Sequence, residues 1–280
     1  MKEQERGLSI RNILVALDAS VHSAAAVQAA VALATRFRAE VTGLFVEDIN
    51  LIRMSEFPFA RELDLFTSTL QRIERDQIER QLRAQAHRMR QMLASSAEKA
   101  GVSWQFRVVR GSVASQVMTA ASEADLVIMG KLGRSLHRHM GSTAQFIVSR
   151  GQGLMLVLQH GYRLDVPVSV FHDGTPLAEK ALEASIHLVK IKDGQLTVFI
   201  LAPQKESAQE IQSAAMERLK SHELASNFRL VIQPTLAKIK HLIRLEGGGP
   251  VVIPCDSGDF QGEQLCRLVD EIPNPILLVR

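Results

Sequence analysis

Short apolar runs alternate with helix-forming stretches along the whole chain. Two of the clearest runs in the first half are Ile13–Leu17 and Leu154–Leu158. An uninterrupted apolar run of this length is typical of a strand buried on both faces, as in a parallel sheet. Helical patterns separate the runs, for example at residues 21–37. This alternation predicts an α/β fold with a mainly parallel, doubly wound sheet.

The same order of strands and helices occurs twice. In the first half we predict strands at residues 13–17, 40–46, 104–109, 125–129 and 154–158. In the second half we predict them at residues 166–171, 195–201, 228–232, 251–253 and 276–279. The sequence therefore indicates a tandem duplication of two domains, residues 1–161 and 162–280, each with a five-stranded sheet flanked by helices. Residues 49–66, which Pro58 interrupts, are expected to be irregular, and residues 70–100 are expected to form one long helix.

The stretch from Asp125 to Thr143 is the most informative one for function. An apolar run ends at Gly130, Gly133 follows, and Gly141-Ser142-Thr143 stands where a new helical pattern begins. This is the order of a strand, a glycine-rich loop and a helix N-terminus. Glycines let the backbone approach a ligand closely, and the free N–H groups and dipole of a helix N-terminus favour an anion. The stretch predicts a phosphate site.

Asp18 follows the first strand and is expected at the same sheet edge as Gly130, because right-handed crossovers bring strand carboxyl ends together. Two interpretations stay open for Asp18: it satisfies N–H groups of its own turn, or its carboxylate takes part in binding. The second half repeats this turn as Asp173-Gly174-Thr175. In place of the glycine loop it has residues 254–259, where a proline lacks an N–H and two acidic residues repel phosphate. The site is therefore predicted in the first half.

Composition excludes several other classes of protein. Thirty-three Lys and Arg against 30 Asp and Glu leave a charge of +3 with no basic block, which argues against nucleic acid. Two cysteines are too few for a disulfide framework, and no apolar run reaches the roughly 18 residues that span a membrane. We therefore expect a cytoplasmic protein without a membrane partner.

The basic residues of the loop allow more than one interpretation. Lys131 and Arg134 either neutralise phosphate charge or form a solvated rim. His137 and His139 have no Cys or carboxylate nearby in sequence, so we predict no metal site. The chain lacks a Walker A loop and a Gly-x-Ser-x-Gly elbow, and we predict no catalytic residue.

With these residues in place, the chain resembles the universal stress protein family in a tandem two-domain form. The resemblance rests on Ile13-Leu-Val-Ala-Leu-Asp18, Arg110-Gly111, Asp125-Leu-Val-Ile-Met-Gly130, Gly141-Ser142-Thr143 and the closing strand Leu154–Leu158. It implies a Rossmann-like fold of the adenine-nucleotide α-hydrolase type. Nucleotide-binding members carry Gly-x2-Gly-x9-Gly-Ser/Thr after the fourth strand. Here Gly130 and Gly133 fit, but only seven residues separate Gly133 from Gly141.

The resemblance implies a stress-response protein that binds ATP, ADP or AMP, with or without Mg²⁺, and that hydrolyses ATP weakly at most. It implies that Asp18 and Val41, or the neighbours of Val41 on the second strand, lie near the adenosine. It also places these residues near the phosphates: Gly130, Gly133, Gly141, Ser142 and Thr143. The alternative is a nucleotide-independent interaction or scaffold protein whose shortened loop has lost ATP binding. The halves are expected to pack as a pseudo-dimer through their last strands, 154–158 and 276–279, and a further homodimer stays open.

Overall fold

The computed structural model describes residues 8–57, 61–64, 69–72, 74–131, 139–158, 167–189, 194–222, 224–255 and 260–280. The elements of the first half are β1 (Asn12–Leu17), α1 (Val21–Phe37), β2 (Glu40–Asp48), α2 (Ile49–Met54), β3 (Arg61–Asp64), β4 (Thr69–Arg72), α3 (Arg75–Ala100), β5 (Trp104–Gly111), α4 (Val113–Ala121), β6 (Leu126–Gly130), α5 (Ser142–Arg150) and β7 (Leu154–Leu158). Those of the second half are β8 (Val168–His172), α6 (Pro176–Val189), β9 (Leu196–Ala202), α7 (Lys205–Lys220), β10 (Ser226–Ile232), α8 (Leu236–Leu245), β11 (Val251–Pro254), α9 (Gly262–Glu271) and β12 (Ile276–Val279).

Ten strands form a single sheet in the order β10-β9-β8-β11-β12-β7-β6-β1-β2-β5. Within each half the five strands are parallel and follow the same order, with the first strand in the middle. Helices cover both faces, so the α/β, doubly wound prediction is confirmed. The two predicted five-stranded sheets are joined edge to edge. The boundary proposed between residues 161 and 162 lies outside the described residues.

The join is the antiparallel pair β7 and β12, with Leu156 opposite Leu277. Every residue of both strands is buried. Pairing removes the exposed edge that each five-stranded half would otherwise present to solvent. The last strands thus pair as the resemblance implied.

The sheet separates two apolar layers that both halves share. On one face, buried side chains of α1, α3, α6 and α7 pack against the strands. On the other face, those of α4, α5, α8 and α9 do so. Because each layer contains helices from both halves, a substitution at the join affects one continuous core.

The segment between β2 and β5 differs from the prediction. An antiparallel hairpin, β3 and β4, pairs Arg61 with Arg72 within a stretch expected to be irregular and then helical. The helix α3 begins at Arg75 instead of Leu70, and its C-cap is Gly101, whose φ of 65° suits glycine. Strands of four residues are too short for their period to be distinguished from a helical one.

Candidate functional site

A cavity of about 300 Å³ lies at the carboxyl edge of β1 and β6. The chain proceeds from β1 toward β2 on one side and from β6 toward β7 on the other, so this is a point where strand order reverses. Open α/β sheets bind their ligands at such points. The lining residues are Ala16, Leu17, Asp18, Leu44, Val46, Val113, Val117, Met129, Gly130, Gly141, Ser142, Thr143, Ala144 and Ile147.

The wall of the cavity is largely apolar, and its polar groups are concentrated at two places. Leu44, Val46 and Met129 belong to neighbouring strands, while Val117 and Ile147 come from the helices above them. The polar groups are the Asp18 carboxylate and the beginning of α5. An apolar wall with a few polar groups is the usual character of a small-molecule site.

Asp18 is oriented by its own turn. Its Oδ1 accepts hydrogen bonds from the Ser20 N–H and the Ser23 hydroxyl, both at 3.0 Å. Ala19 adopts a φ of 59°, which closes the turn tightly. Within the described part of the chain, Oδ2 has no hydrogen-bond partner. The turn role is therefore observed, and the same carboxylate still presents one oxygen at a cavity wall.

The N-terminus of α5 is the second polar feature. Gly141 is its N-cap, with an extended backbone (φ −64°, ψ 153°) and no side-chain hydrogen bond to the first turn. The first N–H groups of any helix lack intrahelical acceptors, so here those of Ser142 and Thr143 are available to a ligand. A Cβ built on Gly141 would meet no heavy atom of the described residues within 4 Å. Helix start and glycine together leave space where an anion can approach the backbone.

Five of the predicted residues come together at this cavity: Asp18, Gly130, Gly141, Ser142 and Thr143. Val41 does not join them. It lies near the amino end of β2, opposite Ile13 and Trp104, and is fully buried. Leu44 and Val46 line the cavity instead, and successive strand residues point to opposite faces, which puts Val41 on the other face. Gly133, Arg134 and His137 lie outside the described residues.

Lys131 neither neutralises phosphate charge nor belongs to a solvated rim, the two roles that the sequence allowed. It is 2% exposed, and its ammonium donates to the carbonyl oxygens of Asp270 at 2.6 Å and Ile272 at 3.1 Å. Both carbonyls lie at the end of α9 in the second half. Burial lowers the pKa of Lys131 to about 8, although the Asp270 charge opposes this shift. The residue is therefore a tether between the halves and not a phosphate ligand.

Asp270 holds the far end of the same loop. Its Oδ1 accepts the Met140 N–H at 2.6 Å, and its Oδ2 lies 2.8 Å from His139 Nδ1. Partial burial raises the pKa of Asp270, but hydrogen bonds from His139 and Met140 and the Lys131 charge outweigh it and lower the pKa below its usual value. Sequence reasoning missed Asp270 because it lies 130 positions from Met140 and no motif connects them.

The sequence model of the universal stress protein family matches residues 9–158. The chain belongs to the universal stress protein family. Its fold is similar to that of a universal stress protein from Archaeoglobus fulgidus DSM 4304, with a TM-score of 0.70 and 16% identity over 96% of both chains. It is also similar to a functionally unknown protein from Pseudomonas aeruginosa PAO1, with a TM-score of 0.64 and 12% identity over 97% of this chain and 93% of that one. No curated protein matches the sequence.

The second half of this universal stress protein fills the equivalent position with aromatic rings. Ala16 pairs with Leu44 at the first-half cavity, and the corresponding pair of the second half is Phe171 and Phe199. Their rings stack with centroids 5.2 Å apart, and Phe260 packs 5.4 Å from Phe171. All three side chains are buried. Aromatic rings thus stand in the second half at the positions that Ala16 and Leu44 occupy beside the first-half cavity.

Two further properties of the described residues bear on partners. None of the helices described is both long enough and apolar enough to cross a membrane. Across the same part of the chain, no group of three or more His, Cys, Asp or Glu residues is arranged to hold a metal ion. His139 contacts Asp270.

Proposed function

We propose that this universal stress protein binds an adenine nucleotide, ATP, ADP or AMP, in the cavity of residues 1–161. The observation that carries the proposal is the cavity at the strand-order reversal, bounded by Asp18, Gly130 and the N-terminus of α5, which has no side-chain cap. Residues 162–280 are proposed to support this site without binding a nucleotide. The aromatic filling at Phe171 and Phe199 supports that assignment.

Each part of the cavity suits one part of the ligand. The apolar wall formed by Leu44, Val46 and Met129 suits the faces of an adenine ring. The open carboxylate oxygen of Asp18 suits a ribose hydroxyl, because a charged acceptor forms strong hydrogen bonds. The N–H groups of Ser142 and Thr143 suit phosphate oxygens. A bound Mg²⁺ would be held mainly by the phosphates and water, as this ion prefers.

We propose binding with little or no turnover. Among the described residues that line the cavity, Asp18 is the only ionisable one, and its turn already engages one oxygen. Phosphoryl transfer requires groups that orient water and neutralise charge on the transferred phosphate. Weak hydrolysis is therefore the upper bound that we propose. A cytoplasmic location suits the two reduced thiols, Cys255 and Cys266.

A second function is favoured by one specific observation. Seven residues separate Gly133 from Gly141, two fewer than in the pattern of nucleotide-binding relatives. A shorter loop encloses less of a triphosphate. In this alternative, the protein is a scaffold that acts through interactions without nucleotide.

Recovery of bound ligand separates the two functions. The purified protein is denatured by heat or acid, and the extract is chromatographed for ATP, ADP and AMP. The stripped protein is then titrated with ATP up to millimolar concentration by calorimetry. We expect one nucleotide per chain. Two per chain would contradict confinement to the first half, and neither recovered nucleotide nor titratable binding would favour the scaffold function.

A further inference from the structure

The second half holds Lys131 and Met140, the residues next to two glycines that line the cavity. Lys131 directly follows Gly130, and Met140 directly precedes Gly141, so the two residues adjoin the two glycines that line the site. Both contact the carboxyl end of α9: Lys131 and Met140 make three hydrogen bonds to Asp270 and Ile272, and the neighbouring His139 makes a fourth contact with Asp270. These contacts cross between the halves beside the β7–β12 join, because the Lys131 N–H donates to the Leu158 carbonyl oxygen of β7 at 2.7 Å and α9 leads into β12.

The contacts are strong because they combine charge with burial. The carbonyl oxygens at a helix C-terminus carry partial negative charge and lack intrahelical donors. The Lys131 ammonium satisfies two of them, and a buried ammonium needs such partners to offset its desolvation. The 2.6 Å bond from the Met140 N–H goes to a carboxylate, so it is also charge-assisted. Met140 itself is 4% exposed, which fixes the backbone leading into α5.

The helix that carries Asp270 also packs directly on the helix that begins at the site. Cys266 of α9 lies with its Sγ 3.7 Å from the Gln145 carbonyl oxygen of α5. Buried residues of α5 and α9 belong to the same apolar layer. A change at the end of α9 therefore acts on the position of the α5 N-terminus and of the two glycines.

We propose that Asp270 is a positioning residue for phosphate binding in the first half. This inference rests on the proposed function. Asp270 holds Met140, and through it Gly141, at the position where backbone N–H groups meet phosphate oxygens. In this proposal the second half contributes no ligand contact of its own, and it sets the geometry of the site in the first half.

The adenosine side of the cavity is held independently of α9. Asp18 is oriented by Ser20 and Ser23 of its own turn, and Leu44 and Val46 belong to β2. Loss of the Asp270 carboxylate should therefore weaken phosphate recognition and spare adenosine recognition. Comparing the two ligands separates positioning from general destabilisation, which would weaken both.

The test compares ATP and adenosine affinities of the full chain and three variants by calorimetry. For Asp270→Ala we expect the Kd for ATP to rise at least tenfold and the Kd for adenosine to change less than about twofold. Asp270→Asn should recover much of the ATP affinity, because its amide oxygen can accept the Met140 N–H. Glu271→Ala is the matched control: it removes an ion pair with Lys240 at the same helix end and leaves the loop contacts intact.

Hydrogen exchange of the Met140 amide checks the tether in ligand-free protein, and we expect faster exchange in Asp270→Ala than in the parent. The inference is overturned if Asp270→Ala binds ATP like the parent, or if ATP and adenosine weaken equally. It is also overturned if Glu271→Ala weakens ATP as much as Asp270→Ala. If the parent binds neither ATP nor adenosine, while the Met140 amide exchanges faster in Asp270→Ala as expected, the proposed function is wrong and phosphate positioning is wrong with it.

Discussion

Replacing Gly141 with valine should abolish tight phosphate binding without disturbing the fold. Gly141 has φ −64° and ψ 153°, an extended conformation that valine adopts readily. Among the residues that the structure describes, a Cβ at this position would meet no heavy atom within 4 Å. Valine is a poorer N-cap than glycine, and this costs at most about 1 kcal/mol of unfolding free energy. The added methyl groups occupy space beside the N–H groups that we assign to phosphate.

The magnitude follows from the interactions that the side chain would block. A hydrogen bond to a charged group contributes about 1.5–3 kcal/mol net. Since about 1.4 kcal/mol corresponds to a tenfold change in affinity, the loss of one such bond raises the Kd for ATP about 10- to 150-fold. The Kd for adenosine should stay within about threefold, because its proposed contacts lie at Asp18 and β2.

Calorimetric titration with ATP is the assay, and Gly248→Val is the matched control. Gly248 is an exposed glycine of the second half, and a Cβ there would also meet nothing within 4 Å. Urea denaturation of each variant verifies that the fold persists. An unchanged ATP affinity in Gly141→Val would refute the reasoning, and so would an equal weakening in Gly248→Val.

Three further predictions concern stability. Leu156 lies at the centre of the β7–β12 join and is 1% exposed, so Leu156→Ala should lower the unfolding free energy measured in urea by about 2–5 kcal/mol. The control is Leu230→Ala on the edge strand β10: Leu230 is 39% exposed, and its loss should cost less than about 1 kcal/mol. Equal losses in the two variants would contradict a shared core. The pKa of Lys131 falls from 10.5 in the unfolded chain to about 8 in the native one, so between these pH values the unfolded chain binds more protons and native stability rises with pH. Urea denaturation should show a rise on the order of 3 kcal/mol in the parent that Lys131→Met lacks, and parallel curves would contradict it. Burial lowers the pKa of His172 below 6.5, although Glu179 opposes the shift. The unfolded chain therefore binds more protons than the native one as the pH falls through 6.5, and the parent should lose stability there more steeply than His172→Gln. Equal slopes of melting temperature against pH in the two proteins would contradict this prediction.

Much of the fold could be predicted because its strands are buried on both faces. The sequence of such a strand is a short continuous apolar run, and the strands at residues 154–158 and 276–279 have the predicted bounds. The hairpin β3–β4 could not be predicted, since four-residue strands carry too little periodicity. The predicted starting residue of α3 was wrong for the same reason.

The site was predictable where local chemistry defines it and unpredictable where packing does. A turn at Asp18 and a helix start at Gly141 are local patterns, and the structure brings both to one cavity. The position of Val41 depends on strand register, which places it on the opposite face. The contact of Lys131 with Asp270 joins residues 139 positions apart, and no sequence pattern signals it.

The aromatic filling of the second half shows the same limit. A phenylalanine in an apolar strand, such as Phe171, is consistent with any buried position. Its significance emerges only when strand pairing shows that Phe171 and Phe199 hold the positions in the second half that Ala16 and Leu44 hold in the first. The difference between the halves is then one of side-chain size as well as loop composition.

A crystal structure of the full chain grown with ATP and Mg²⁺ tests the central claim most directly. We predict electron density for one nucleotide per chain, with adenine against Leu44 and Met129, ribose at Asp18, and phosphates at Gly141 and the start of α5. Density at the carboxyl edge of β8 and β11, or none in the first-half cavity at millimolar ATP, would contradict the account.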